Sequence, residues 1–230
     1  MTGFTGIWKL KKASSAKGKI FCVGRNKTGT KSLSKALKKL GYKIADQRPT
    51  EMLLDDWFNR DFSRIVSFCK SGGDAFQDVP FSLPFTFVVM DQYFPGSKFI
   101  LTVRDNPEQW YNSLVRFHSE KFSPGRIPGK EDLANANYVE PGWMWKANRM
   151  IYNTPEDDPY NKSVMISLYL KHNEAVIDYF RNRKDDLLIL NPADAGAYRD
   201  LSNFLGLDKE ILEPFPWENR SGQSANPGEK

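Results

Sequence analysis

Apolar residues recur along this chain in two rhythms. Short unbroken runs, Ile20-Phe21-Cys22-Val23, Lys98–Val103 and Asp186–Leu190, have the length and character of strands buried on both faces. Between them, apolar residues fall at helical spacing, as in Leu33, Leu37 and Leu40, or Trp110, Leu114 and Phe117. The pattern predicts a strand over Ile20–Val23 and a helix over Lys31–Leu40 that stops at Gly41. It then predicts a weak second strand over Tyr42–Ala45 and a helix capped by Thr50 that runs to about Lys70. Asp74–Phe81 reads as a short strand leaving the core at Pro80. Phe85–Met90 is apolar enough for a strand, but a helix ending near Tyr93 leaves Pro95-Gly96 to turn straight into Lys98–Val103. Asn106, Pro107 and Gln109 form a helix start. Asn161–Arg183 is a long amphipathic helix with Val164, Leu168, Val176 and Tyr179 on one face, and Tyr198–Leu205 is a short one closed by Gly206.

Residues 120–160 break this order. Prolines and glycines interrupt them, and Trp143, Met144 and Trp145 cluster in the middle. The stretch reads either as a lid or binding loop, or as a segment packed on the core. Elsewhere strands and helices alternate. That predicts an α/β fold, a three-layer sandwich with a mostly parallel central sheet and its ligand at the carboxyl ends of the strands.

Composition narrows the picture in a few respects. At 230 residues the chain fits one domain over 19–217, with an N-terminal arm over 1–18 and a tail over 218–230. The 40% hydrophobic content marks it as globular rather than disordered. The net charge of +5 suits an anionic ligand, nucleic acid or a membrane surface. Because the basic residues are spread along the chain, nucleic acid is not expected as a partner. Cys22 and Cys69 make no disulfide framework, and Cys22 reads as a small buried residue. There is no metal-ligand cluster, no secretory signal, and no run near the ~20 apolar residues of a membrane span. A cytoplasmic protein with no metal and no transmembrane segment is expected, its oligomeric state open.

The densest chemistry lies between the first strand and first helix, in Gly24-Arg25-Asn26-Lys27-Thr28-Gly29-Thr30-Lys31-Ser32. Strand, glycine-bearing loop and helix together aim backbone N–H groups and a positive helix end at an anion. The alternative is an ordinary strand-to-helix turn with solvated lysines. The triphosphate-binding pattern G-x-x-x-x-G-K-[ST] is not met. Thr30 stands between Gly29 and Lys31, and Lys27 precedes the second glycine instead.

Asn26-Lys27-Thr28-Gly29-Thr30 resembles the Pro-Lys-Ser-Gly-Thr loop of the sulfotransferase family. That loop holds the 5′-phosphate of 3′-phosphoadenosine 5′-phosphosulfate (PAPS). The resemblance implies that Lys27 is the catalytic lysine and that Thr28, Gly29, Thr30 and Lys31 cradle the 5′-phosphate. Arg25, Asn26 and Ser32 complete the donor loop, Ser32 standing where many members have an adenine-stacking tryptophan. An arginine at a strand end, followed through an Asx-Pro turn by a helical serine, is the family's 3′-phosphate site. Arg104 and Ser113 are similar, with one extra residue between them. Asn219-Arg220-Ser221-Gly222 resembles the C-terminal Arg-x-Gly element, which places Arg220 on the same phosphate. Gln77-Asp78-Val79-Pro80 looks like the Thr-His-x-Pro segment that supplies the base, with aspartate for histidine. Taken alone, Asp78 reads as a turn or cap residue; the resemblance makes it the base, if apolar neighbours raise its pKa. His172 falls on the apolar stripe of the long helix and reads as a core histidine or an alternative base, and His118 as a helix-end residue.

The resemblance thus implies a sulfotransferase moving a sulfuryl group from PAPS to a hydroxyl or amine of a small-molecule acceptor. The aromatic stretch around Trp143 hints at an apolar or lipid-like one. A P-loop ATP-dependent kinase is the rival enzyme, and the displaced lysine argues against it. A non-catalytic anion- or nucleotide-binding protein is the rival of another class.

Overall fold

In the computed structural model, residues 18–207 and 214–216 are described. Strand β1 (Ile20–Cys22) sits near the middle of a four-stranded sheet with β2 (Ala75–Phe76), β3 (Lys98–Thr102) and β4 (Leu187–Leu190). The order is β2-β1-β3-β4 and every pairing is parallel. The sheet is therefore more regular than the mostly parallel one expected.

Alternation along the strands divides the core in two. Phe21, Phe76, Phe99 and Leu101 face one apolar cluster, and Ile20, Cys22, Ala75 and Ile100 face the other. Successive side chains in a strand point to opposite faces, so an unbroken apolar run is what a doubly covered sheet requires. Helices α1 (Thr30–Lys39) and, near the C-terminus, Ala197–Phe204 cover the second face with Leu33, Leu37 and Leu201. The first face is covered by a thicker layer that includes α6 (Pro107–Phe122) and α9 (Lys162–Tyr179), reckoned in chain order. The result is the expected three-layer α/β sandwich.

Several elements differ from the sequence reading. Tyr42–Ala45 is not a strand; only Ile44 bridges to Ala75, because Asp46 at once caps α2 (Gln47–Glu51). The single helix expected from Thr50 to Lys70 is three: α2, α3 (Leu54–Phe58) and α4 (Ser63–Ser71). Thr50 lies inside α2 rather than capping it. Arg60, at φ 61, takes a left-handed turn after α3, and Asp61 accepts from the Ser63 N–H to begin α4. The apolar stretch before Tyr93 is helical, α5 (Thr86–Tyr93). On α9 the buried stripe is Met165, Tyr169, His172 and Val176. It keeps His172 and Val176 of the stripe expected and buries Met165 and Tyr169 in place of Val164 and Leu168; the polar tips of Tyr169 and His172 both find partners.

Residues 120–160 hold regular structure after all, in α7 (Lys130–Asn135) and α8 (Trp143–Ile151). Their prolines and glycines fall at the helix boundaries, as Gly129 and Gly142 do, and not in the interiors. Leu133, Trp143, Met144 and Ala147 join the core cluster of Phe21 and Phe76. The segment is packed on the core. No helix among the described residues is long and apolar enough to cross a membrane.

Parallel strands bring all their carboxyl ends to one edge. After β1 the chain goes to β2 on one side and later to β3 on the other, so the β1–β3 gap is a topological switch point. The loops after β1, β2 and β3 converge there.

Candidate active site

The loop after β1 starts under constraint. A Cβ on Gly24 would lie 2.5 Å from Thr102 N, so only glycine lets the chain leave β1 so close to β3. Thr28 is fully buried, and its hydroxyl lies 2.6 Å from that of Thr102, tying loop to strand. Gly29, at φ 100, sits directly before α1, whose first turn is Thr30, Lys31 and Ser32.

Two residues of α6 and its approach hold this loop from the other side. Arg104 Nε donates to Lys27 O at 2.8 Å. Trp110 Nε1 donates to Asn26 O at 3.0 Å, and the Trp110 ring stacks on Tyr169 with centroids 4.5 Å apart. Asn106 caps α6 as its sequence predicts, accepting from Gln109 N at 2.8 Å. Gln109, however, accepts from Asp105 N rather than Asn106 N.

Beyond the loop lies a cavity of about 630 Å³. Its cationic side holds Asn26, Lys27, Gly29, Thr30, Lys31 and Ser32 from the loop and first helical turn. Arg104 and Ser113 face the same cavity from the β3–α6 corner, and Asp78 enters from the end of β2. The two corners singled out in the sequence, together with the aspartate between them, therefore share one space. Arg25 and Thr28 do not line it. Arg25 is turned inward, donating from Nη1 to Ser82 O at 3.2 Å with its guanidinium 5.2 Å from the Tyr152 ring centre. Arg220 lies outside the described residues.

Lys27 and Asp78 both adopt left-handed backbone, at φ 67 and φ 57. Such conformations in non-glycine residues are uncommon and concentrate at functional sites. Burial pushes the Asp78 carboxyl up to about 6, and Glu51 adds to this, while a hydrogen bond from the Thr30 hydroxyl and the charges of Lys27 and Lys31 oppose it. Its Oδ1 is buried with no hydrogen-bond partner among the described residues. Burial likewise pulls Lys27 down to about 8, helped by Lys31 and Arg104 and opposed by Asp78. Near neutral pH the site therefore offers a carboxylate able to accept a proton and an ammonium still able to neutralise charge.

The structure adds residues the sequence did not single out. Arg116, one helical turn beyond Ser113, lines the same cavity, and both reach an adjoining cleft of about 350 Å³. Its spacing from Ser113 was the available signal. Glu51 on α2 is a buried carboxylate in the cavity wall. It accepts from Tyr138 Oη at 2.7 Å and pairs with Arg48 at 3.0 Å. Nothing in its sequence context marks it. His118 lies within α6, one turn before its end, and lines the cavity with Nδ1 2.7 Å from Tyr160 Oη. Burial and the nearby Lys27 charge push its imidazole down to about 3. His172 is 3% exposed, and its Nε2–H donates to Val23 O at 2.8 Å; it is a core histidine. Aromatic and apolar side chains wall the remainder, among them Phe117, Tyr138, Trp143, Met144 and Tyr160. No group of three or more His, Cys, Asp or Glu among the described residues is placed to hold a metal ion.

No curated protein matches the chain as a relative. A family model does: that of the sulfotransferase domain, over residues 19–224. The match begins at the first strand and spans nearly the whole chain, including every element that builds the cavity. The chain thus belongs to the sulfotransferase domain family, and sulfotransfer is the activity that membership supports.

Proposed function

We propose that the protein moves a sulfuryl group from PAPS to a hydroxyl or amine of a small or lipid-like acceptor, with Lys27 and Asp78 as the catalytic pair. The observation that carries this reading is the convergence of Lys27, Asp78 and Arg104 on one cavity of about 630 Å³. The residues fit a doubly phosphorylated nucleotide. Lys27, Lys31, Arg104 and Arg116 make a polycationic wall, and the first turn of a ten-residue helix opens into it.

When bound, the donor supplies the sulfuryl group and a phosphate leaving group. Lys31 and the N–H groups at the start of α1 hold the 5′ end, and Arg104 and Ser113 hold the 3′-phosphate. Arg104 is suited to this, since Nε is spent on Lys27 O and fixes the guanidinium in place. The Asp78 carboxylate, which lines the cavity, takes the proton of the acceptor's nucleophile. Lys27 neutralises the negative charge that develops beside its ammonium. Catalysis of this kind is mostly positioning and electrostatics. The aromatic wall around Trp143 excludes water and takes the acceptor's apolar body.

Calorimetry with adenosine 3′,5′-bisphosphate, adenosine 5′-phosphate and ATP, with and without magnesium, tests the donor assignment. The bisphosphate should bind about tenfold or more tightly than adenosine 5′-phosphate, because charge-assisted bonds to the 3′-phosphate are lost in the latter. Tightest binding of magnesium–ATP would instead support a kinase.

A further inference from the structure

Lys27 is gripped along its whole length by one helix and its approach. Its carbonyl accepts from Arg104 Nε at 2.8 Å, and the preceding carbonyl accepts from Trp110 at 3.0 Å. Its ammonium lies 3.5 Å from the centre of the Phe117 ring. Trp110 and Phe117 are seven positions apart on α6, two turns along the same face, with Ser113 between them.

We infer that Phe117 is the positioning residue of Lys27: the face of its ring holds the ammonium in its charged form against the α6 wall of the cavity, so the lysine is placed before donor arrives. The inference rests on the proposed catalytic role of Lys27 and deepens it.

The need for such a partner follows from the surroundings. Lys31 approaches from α1, Arg104 from the end of β3 and Arg116 from α6, all positive; Asp78 is the carboxylate that offsets them. His118, also on α6, is uncharged near neutrality because burial and Lys27 itself push it down to about 3. A part-buried ammonium among like charges tends to lose its proton. The negative face of an aromatic ring favours the charged form without introducing a carboxylate that would compete with a bound anion. It also fixes the end of a long flexible side chain, which then has less freedom to lose in the transition state. Lys121 is within reach of the same ring at 5.7 Å, but it lies closer to Tyr138, at 3.9 Å, which leaves Phe117 to Lys27.

The test uses Phe117→Leu, which keeps an apolar body and removes the ring face, and Phe117→Tyr, which keeps both. Phe117 is only partly buried, so both should fold; Phe117→Met replaces the leucine variant if that one does not. In the first measurement, ligand-free protein is pulsed with acetic anhydride from about pH 6 to about pH 10, and mass spectrometry reads acetylation at Lys27 against the other lysines. The midpoint for Lys27 should move toward acid by about half to one pH unit in Phe117→Leu and stay in place in Phe117→Tyr. In the second, kcat should fall roughly 3- to 30-fold in Phe117→Leu while donor affinity is kept, with Phe117→Tyr restoring the rate. An unmoved Lys27 midpoint in Phe117→Leu would overturn the inference. So would leucine and tyrosine variants that behave alike, or donor affinity falling as far as kcat. A wild type that labels as expected but transfers no sulfuryl group would sink the proposed reaction and leave the Phe117 contact standing.

Discussion

The two sides of the cavity are made of different material. One side is short loops at the carboxyl ends of β1, β2 and β3, where backbone and charge are concentrated within a few residues of each strand. Gly24 against Thr102, Arg104 on the Lys27 carbonyl and Trp110 on the Asn26 carbonyl fix that side almost atom by atom. The other side is helix surface, with Leu133 from α7, Trp143, Met144 and Ile151 from α8, and Tyr138 between them. Its polar fixtures are few, among them the Tyr138 hydroxyl on Glu51 and the Tyr160 hydroxyl on His118 Nδ1. A wall of fixed donors suits a ligand whose charges always sit in the same place. A wall of rings and methyl groups accepts whatever apolar body fits, and selects mainly by shape. In the proposed reaction the donor belongs to the first wall and the acceptor to the second, with Asp78 at the boundary.

Substitutions on each side should then change different constants. The largest effect is expected at the boundary: Asp78→Asn should lower kcat/KM roughly 10²- to 10⁴-fold, as read in a donor-dependent transfer assay. Lys27→Ala should lower kcat on the order of a hundredfold or more while calorimetry shows donor affinity nearly intact; equal loss of both would remove its catalytic role. On the aromatic side, Ile151→Ala should raise acceptor KM about tenfold and leave donor affinity unchanged, since only methylene contacts are lost. A change in donor affinity there would merge the two walls and break the comparison.

The smallest effects are in pH. The proposed mechanism requires Asp78 ionised and Lys27 protonated. With these groups at about 6 and about 8, kcat/KM should rise through the first value and fall through the second, a bell with its top near neutrality. Asp78→Asn should remove the acidic limb. Stability should run the other way. A buried carboxyl raised from 3.8 to about 6 binds its proton more tightly in the folded state, so the ligand-free protein loses stability as pH rises through that window. The loss is on the order of 3 kcal/mol at most. Urea titration at neutral pH should therefore find Asp78→Asn more stable than the wild type, by about 1–3 kcal/mol, and asparagine suits the left-handed backbone at that position.

The same contrast explains what could be read in the sequence. The loop after β1 and the β3–α6 corner were legible because each is local: a strand, a glycine or Asx-Pro turn, a helix, and the charge between them lie within about a dozen residues. The face of the sheet was legible because parallel strands are apolar on both sides. The aromatic wall was legible only as the cluster around Trp143, not as a wall. Leu133, Tyr138 and Trp143 meet only through tertiary packing, and prolines that mark helix starts look the same in sequence as prolines that break helices. Glu51 joins the site through the position of α2, which no local pattern encodes, whereas Arg116 was within reach of its i,i+3 spacing from Ser113. The long α9 was legible at His172 and Val176 but not at Tyr169, a polar-tipped residue whose partner, Arg104 N, lies far away in the chain.

A crystal structure of the protein with adenosine 3′,5′-bisphosphate tests the central claim most directly. The account predicts the 5′-phosphate at the first turn of α1 beside Lys27 and Lys31, and the 3′-phosphate on Arg104 and Ser113, with the aromatic side left open. A nucleotide seated among Tyr138, Trp143 and Met144, or bound with its 3′-phosphate away from Arg104, would contradict it.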